Sequence, residues 1–136
     1  MEPINVEPTA HSPRIIFDLN GKLLLEGRSI PEDVDKLFNP LVEFIQNLTV
    51  EDVVFDINLE YFNTATSKCL LDLLKNLDAN NRIENVLINW YYEADDEDSL
   101  EMAEMYEECL LKLEFRYVEY TQSLSLFEQR IIQSRV

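Results

Sequence analysis

The sequence predicts a single α/β domain, built on a mixed sheet of four to five strands with helices packed mainly on one face. Short runs that alternate apolar and polar residues are typical of strands, and longer runs with apolar residues three or four apart are typical of helices. The two kinds of run alternate along the chain, which favours parallel βαβ connections. The strand runs are polar on one side, so we expect the other face of the sheet to be left partly polar.

Five strands are predicted. The first two join through Asn20-Gly21, a strong signal for a two-residue hairpin turn. In the run at 53–59, the apolar residues Val53, Phe55, Ile57 and Leu59 fall on one side of the strand, and Asp56 and Asn58 fall on the other. The predicted strands cover residues 14–19, 22–27, 53–59, 86–90 and 115–119.

Helices are predicted between these strands, at residues 32–48, 64–78 and 98–112. Asn39-Pro40 should interrupt the first helix, because proline lacks an amide donor and clashes with the preceding turn. We divide the chain into an extended N-terminal arm over residues 1–12, an α/β domain over 13–120 and an amphipathic tail over 121–136. In the tail Leu124, Phe127 and Ile131 share one helical face.

Length, charge and composition exclude several classes of function. The chain has 136 residues and 46% of them are hydrophobic, which suits one ordinary domain. Its 11 cationic and 27 acidic residues give a net charge of −16, which disfavours binding to nucleic acid or to an anionic membrane surface. The N-terminus carries no export signal, so we expect a cytoplasmic protein. Cys69 and Cys109 fall on predicted apolar helix faces and are expected to fill the core.

The sequence offers no catalytic machinery of a familiar kind. His11 is the one histidine and lies in the arm, and the two glycines, Gly21 and Gly27, form no phosphate-binding loop. We therefore predict no catalytic residue, no cofactor and no metal. Residues 93–108 contain nine carboxylates and no cation. A solvated acidic face is the first interpretation of that run, and an electrostatic docking surface is the alternative.

The candidate site is residues 61–68, Tyr-Phe-Asn-Thr-Ala-Thr-Ser-Lys. Three hydroxyl residues, Thr64, Thr66 and Ser67, fall in the first turn of a predicted helix that follows a strand. The first amides of a helix lack internal partners and carry the positive end of its dipole, so a phosphate is tolerated there. The structural alternative is that Asn63 is simply an N-cap before a turn of small polar residues.

Four motifs resemble the SiaC family of bacterial regulatory phosphoproteins. They are Ser12-Pro13, Gly-Arg-Ser-Ile-Pro-Glu at 27–32, the segment at 61–68, and Trp-Tyr-Tyr with an acidic run at 90–98. The resemblance covers residues 12–119, and Asn-Thr-x-x-x-Lys is its most specific element. The family's logic is also similar to that of STAS-domain antagonists, so the domain is expected to be STAS-like. Ala65 departs from the family's serine-rich motif and leaves Thr66 as a secondary candidate acceptor.

The resemblance implies a non-enzymatic adaptor controlled by phosphorylation. A cognate protein kinase would modify Thr64 and a PP2C-like phosphatase would reverse the modification. The unphosphorylated form would bind and activate a diguanylate cyclase, raising cyclic di-GMP and so controlling biofilm formation and aggregation. The candidate contacts with partners surround the acceptor: Tyr61, Asn63, Thr66, Ser67 and Lys68.

Three other functions remain open from sequence. A STAS-like antagonist would instead bind an anti-sigma factor or another kinase-like regulator. A small carboxylate-dependent hydrolase would require two converging acids in a cleft. A passive acidic assembly subunit would take up no phosphate. The sequence does not predict the oligomeric state.

Overall fold

The computed structural model describes residues 1–121, which form one six-stranded sheet and three helices. The predicted α/β class is confirmed, with more strands than the four to five expected. The predicted tail at 121–136 lies, apart from Thr121, outside the described residues. In chain order the elements are β1 (Ile4–Val6), β2 (Arg14–Phe17), β3 (Lys22–Ser29), α1 (Val34–Asn47), β4 (Asp52–Phe62), α2 (Thr64–Ala79), β5 (Asn85–Glu93), α3 (Glu97–Glu108) and β6 (Leu113–Tyr120).

The strands lie side by side in the order in which they occur in the chain. β1, β2 and β3 are antiparallel, whereas β3, β4, β5 and β6 run parallel to their neighbours. The extra strand is β1, which comes from the segment predicted to be an extended N-terminal arm: Ile4 pairs with Phe17 and Val6 with Ile15. Sequence patterning missed this strand because only three residues pair, and they are half-buried or exposed.

Helix α1 is continuous from Val34 to Asn47, so the predicted interruption at Asn39-Pro40 is wrong. Asp33 caps the helix and accepts a hydrogen bond from the amide of Lys36 at 3.1 Å. Pro40 lies on the exposed side of the helix, where water can satisfy the carbonyl that loses its partner.

The helices pack on one face of the sheet, as predicted. Apolar side chains from β2 to β6 meet those of α1, α2 and α3 in a single core that includes Phe17, Phe55, Leu73 and Trp90. The opposite face carries the alternate residues of the same strands. Helix α3 ends at Glu108, four residues before its predicted end. Cys109 is therefore exposed beyond the helix and does not fill the core, and Cys69 is half-buried.

The parallel strands place the candidate site at the carboxyl ends of the inner strands β3 and β4. β4 ends at Phe62 and α2 begins two residues later, beside the end of β3 at Ser29. No helix within residues 1–121 has the length and apolar character needed to cross a membrane.

Candidate functional site

The site is the junction at which β4 passes into α2, and Asn63 fixes its geometry. The side chain of Asn63 accepts a hydrogen bond from the amide of Thr66 at 2.9 Å, and its carbonyl accepts one from the amide of Ser67 at 3.0 Å. Asn63 is thus the N-cap, as predicted. Since these two amides are occupied, the preceding amides of Thr64 and Ala65 are the donors left to a ligand at this helix end.

Ser29 holds the first turn of α2 against the neighbouring strand. Its carbonyl accepts the amide of Asn63 at 3.3 Å and the Thr66 hydroxyl at 2.9 Å. The two hydroxyl oxygens, Ser29 Oγ and Thr66 Oγ1, lie 2.9 Å apart. Both side chains are 0% exposed. Because Gly27 has a φ of +120° and the strand register shifts there, Ser29 comes to lie opposite Phe62.

Ser67 ties the same turn to α3. The Tyr106 hydroxyl donates to the carbonyl of Ser67 at 2.7 Å, and the Ser67 hydroxyl lies 2.9 Å from the Tyr106 oxygen. Burial raises the pKa of Tyr106, although the hydrogen bond to Ser67 lowers it in part. The tyrosine therefore stays protonated, and remains a donor, throughout the neutral range.

Thr64 occupies the first helical position and is exposed. Lys68 is also exposed and lies four residues further on, so the two side chains are neighbours on one helix face. Tyr61 is 56% exposed at the end of β4. The guanidinium of Arg28 lies 5.7 Å from the centre of its ring, a cation–π distance. An alcohol, two cations and an aromatic ring thus share the accessible part of this junction.

The start of α2 differs in charge from the starts of the other helices. Its first turn contains no acidic residue and its cap is a neutral asparagine. In contrast, α1 begins with Asp33 and Asp35, and α3 with Asp96, Glu97 and Asp98. The positive end of the α2 dipole is therefore not neutralised by a carboxylate of its own first turn. In a chain of net charge −16, this helix end is suited to receive a negative group.

The structure separates the predicted site residues by exposure. Tyr61, Thr64 and Lys68 are accessible, while Asn63 and Ser67 are half-buried and serve as anchors. Thr66 is less suited to either predicted role, as second acceptor or as partner contact, because its buried hydroxyl is held by Ser29.

Sequence patterning missed three groups that shape this junction: Ser29, Arg28 and Tyr106. Ser29 and Arg28 lie in the Gly-Arg-Ser-Ile-Pro-Glu motif, but their spacing from residues 61–68 gives no sign of contact. Only the parallel pairing of β3 with β4 brings the two motifs together. Tyr106 looked like an ordinary core residue of α3.

The acidic run surrounds the start and outer face of α3. Glu93, Asp95, Glu97, Asp98, Glu101, Glu104 and Glu108 are exposed, as expected of a solvated acidic face. Asp96 caps the helix by accepting the amide of Ser99 at 3.1 Å. The Tyr117 hydroxyl donates to Glu107 at 2.9 Å. Among residues 1–121 no group of three potential ligands lies close enough to hold a metal ion.

Comparisons with known proteins point to one family. The family described as "SiaC family regulatory phosphoprotein" matches residues 6–120. An uncharacterized protein of Pseudomonas aeruginosa strain UCBPP-PA14 is 27% identical over 113 residues, which cover 79% of this chain and 90% of that protein.

Solved structures from Pseudomonas aeruginosa share the fold. The crystal structure of the diguanylate cyclase SiaD in complex with its activator SiaC contains a similar chain. It is 25% identical, with a TM-score of 0.76 over 86% of this chain and 99% of that one. A structure of SiaC is 24% identical, with a TM-score of 0.70 over 90% of this chain and all of that one. With the family matched over most of its length, this chain belongs to the SiaC family of regulatory phosphoproteins.

Proposed function

We propose that this protein is an adaptor switched by phosphorylation, which binds and activates a diguanylate cyclase while Thr64 is unphosphorylated. A cognate kinase and a PP2C-like phosphatase set the state of Thr64, and the adaptor itself catalyses no reaction. It acts in the cytoplasm on cyclic di-GMP signalling. The observation that carries the proposal is the exposed Thr64 hydroxyl at the first position of a helix without a first-turn acid. Its relative SiaC is a cyclase activator.

Charge is the basis of the switch. A phosphothreonine adds a charge of about −1.5 to −2 at neutral pH. Within its own chain that charge is tolerated, because it lies beside the amides of Thr64 and Ala65, at the helix dipole, and one turn from Lys68. Against a partner surface packed over the same turn it must lose water, which weakens the complex unless a cation faces it.

The switch requires little refolding of the adaptor. Asn63, Thr66 and Ser67 are fixed by hydrogen bonds to residues on α2, β3 and α3. Thr64 therefore projects from a rigid turn, and its modification changes the surface more than the backbone. This supports a mechanism of on–off binding and not of unfolding.

Cyclase activation by substituted adaptors tests the proposal. Wild type, Thr64→Ala and Thr64→Asp are each titrated against a diguanylate cyclase similar to SiaD, and cyclic di-GMP synthesis is measured. We expect Thr64→Ala to activate like wild type, because it keeps the turn uncharged. We expect Thr64→Asp to lose at least about tenfold in affinity, equivalent to about 1.4 kcal/mol.

A charge control separates the site from the net charge. Asn81 is exposed just beyond the far end of α2, so Asn81→Asp adds the same charge away from the proposed interface. It should leave activation unchanged. Activation by Thr64→Asp equal to that of wild type would contradict the proposal, and so would an equal loss in Asn81→Asp.

A further inference from the structure

Strand β6 forms one outer edge of the sheet and β1 forms the other, and the two edges differ in how open they are. β1 pairs over three residues and is bounded by Pro3 and Pro8, which limit further pairing. β6 runs for eight residues, from Leu113 to Tyr120, and contains neither proline nor glycine. Within residues 1–121 it pairs with β5 alone. Its outer side therefore offers a long template for another strand.

The backbone groups on the outer side of β6 belong to alternate residues. The carbonyl of Tyr120 points towards β5, because it accepts a hydrogen bond from the amide of Ala94 at 3.0 Å. In a parallel pair, residues that bond to the neighbouring strand alternate with residues whose amides and carbonyls point away from it. The outward-pointing groups of β6 are therefore those of its odd-numbered residues: Leu113, Phe115, Tyr117 and Glu119.

The side chains of β6 form an aromatic side and a charged side. Phe115 and Tyr117 lie half-buried on the helix side of the strand, with ring centres 6.1 Å apart and ring planes at 27°. Glu114 and Arg116 are exposed on the opposite face. Neither of these two forms an ion pair within the described part of the chain. The edge thus presents one carboxylate and one guanidinium, two residues apart, that are available to a partner.

We propose that β6 pairs antiparallel with β6 of a second copy of this chain, about a twofold axis at Phe115. In this register Glu114 lies opposite Arg116 of the other copy, and symmetry forms the same pair a second time. Phe115 lies opposite itself and Leu113 lies opposite Tyr117, so the outward-pointing backbone groups exchange hydrogen bonds directly. The six-stranded sheets of the two copies become continuous.

Charge selects this register among its neighbours. An axis at Glu114 would place that carboxylate opposite itself, and an axis at Arg116 would do the same with the guanidinium. Like charges directly opposite each other destabilise a sheet, whereas opposite charges and aromatic pairs stabilise it. An axis at Tyr117 would place Arg116 opposite Val118 and gain no ion pair. Of these four registers, the one with its axis at Phe115 pairs both charges.

Two features of the rest of the chain bear on this dimer: its net charge and the position of Thr64. The net charge of −16 on each copy opposes association. At physiological ionic strength the Debye length is about 8 Å, so most of this long-range repulsion is screened, while directly opposed groups still interact. Thr64 follows β4, which β5 separates from β6. The dimer therefore uses a different surface from the proposed switch.

Sedimentation equilibrium of the full-length chain at physiological ionic strength tests the dimer. We expect a monomer–dimer equilibrium in wild type. Glu114→Arg places two guanidinium groups opposite each other at both contacts, so dimerisation should weaken at least about tenfold. Arg116→Glu should weaken it similarly, by repulsion between two carboxylates. An equimolar mixture of the two variants should recover wild-type dimerisation, because each charge then meets its opposite across the interface.

The control is Glu43→Arg, which makes the same charge change at an exposed position of α1 beside Ile4 of β1. It should leave dimerisation unchanged, and an equal loss there would contradict a specific contact at β6. A chain that is monomeric at every concentration would overturn the proposal and leave the edge to another part of the chain or to a different protein. A mixture that fails to recover dimerisation would contradict the proposed register.

Discussion

Helices α2 and α3 begin with the same pattern of hydrogen bonds and differ in charge. Each has a capping side chain that accepts the amide three residues on: Asn63 from Thr66 at 2.9 Å, and Asp96 from Ser99 at 3.1 Å. That third residue is a buried hydroxyl in both helices. Thr66 bonds to Ser29 on β3, whereas the Ser99 hydroxyl accepts from the indole nitrogen of Trp90 at 3.0 Å.

The charge differs at the cap, which is Asn63 in α2 and Asp96 in α3, and at the two exposed positions between cap and hydroxyl. In α3 these are Glu97 and Asp98, which place permanent negative charge at the helix start. In α2 they are Thr64 and Ala65, which are neutral. Phosphorylation of Thr64 would therefore give α2 the kind of charge that α3 always carries. The comparison teaches that the cap and the third-position hydroxyl anchor each helix, while the first position, Thr64 or Glu97, is exposed.

The largest effect on stability should come from the anchoring hydroxyl. Thr66→Val keeps the side-chain shape but leaves the buried Ser29 hydroxyl without its partner and removes one of the two donors to the Ser29 carbonyl. We expect a loss of about 2 kcal/mol in the free energy of unfolding, within the usual range for a buried unsatisfied polar group. Urea denaturation of both proteins measures it.

The matched control is Thr64→Val, which removes an exposed hydroxyl two residues away. It should change the free energy of unfolding by less than about 0.5 kcal/mol. Equal losses in the two variants would mean that the Thr66 hydroxyl contributes no more to stability than the Thr64 hydroxyl does.

The caps should have an intermediate effect of similar size in both helices. Asn63→Ala and Asp96→Ala each remove the side-chain acceptor for the third amide, so each should cost about 1 kcal/mol. Thermal unfolding followed by circular dichroism measures both losses. A negligible loss in Asn63→Ala alone would indicate that Ser29 holds the start of α2 without help from the cap.

The smallest effects should have opposite signs at the second helical position. Ala65→Glu adds a carboxylate to the start of α2 and should stabilise the protein by about 0.5 kcal/mol, while Asp98→Asn removes one from α3 and should destabilise it by a similar amount. Both effects should shrink in high salt, because exposed charges are screened. Destabilisation by Ala65→Glu at low salt would mean that α2 does not favour a negative group.

Local patterns were enough to predict most of the fold. Alternation in β4 and β5 and the spacing of leucines in α2 gave the elements, and Asn63 was identified as a cap from its residue type. The errors arose where packing overrides local preference. Pro40 stays within a helix because it faces solvent, and Ile4–Val6 becomes a strand only because an edge is available beside β2.

The candidate site could be predicted only in part for the same reason. The sequence shows a first turn rich in hydroxyl residues, but it does not show which of these hydroxyls are buried and which are exposed. Ser29 is 37 residues from Thr66 and Tyr106 is 39 residues from Ser67. Which hydroxyl is buried depends on contacts at that distance along the chain, and these follow from the sheet pairing and not from the local sequence.

The most direct test is the affinity of the cyclase for this protein with phosphothreonine installed at position 64, compared with the unmodified chain. Isothermal titration calorimetry of the two forms against the same diguanylate cyclase measures it. We predict that the unmodified chain binds and that the phosphorylated chain binds at least about tenfold more weakly, a difference of about 1.4 kcal/mol, with its fold unchanged. Equal affinity of the two forms would contradict the account.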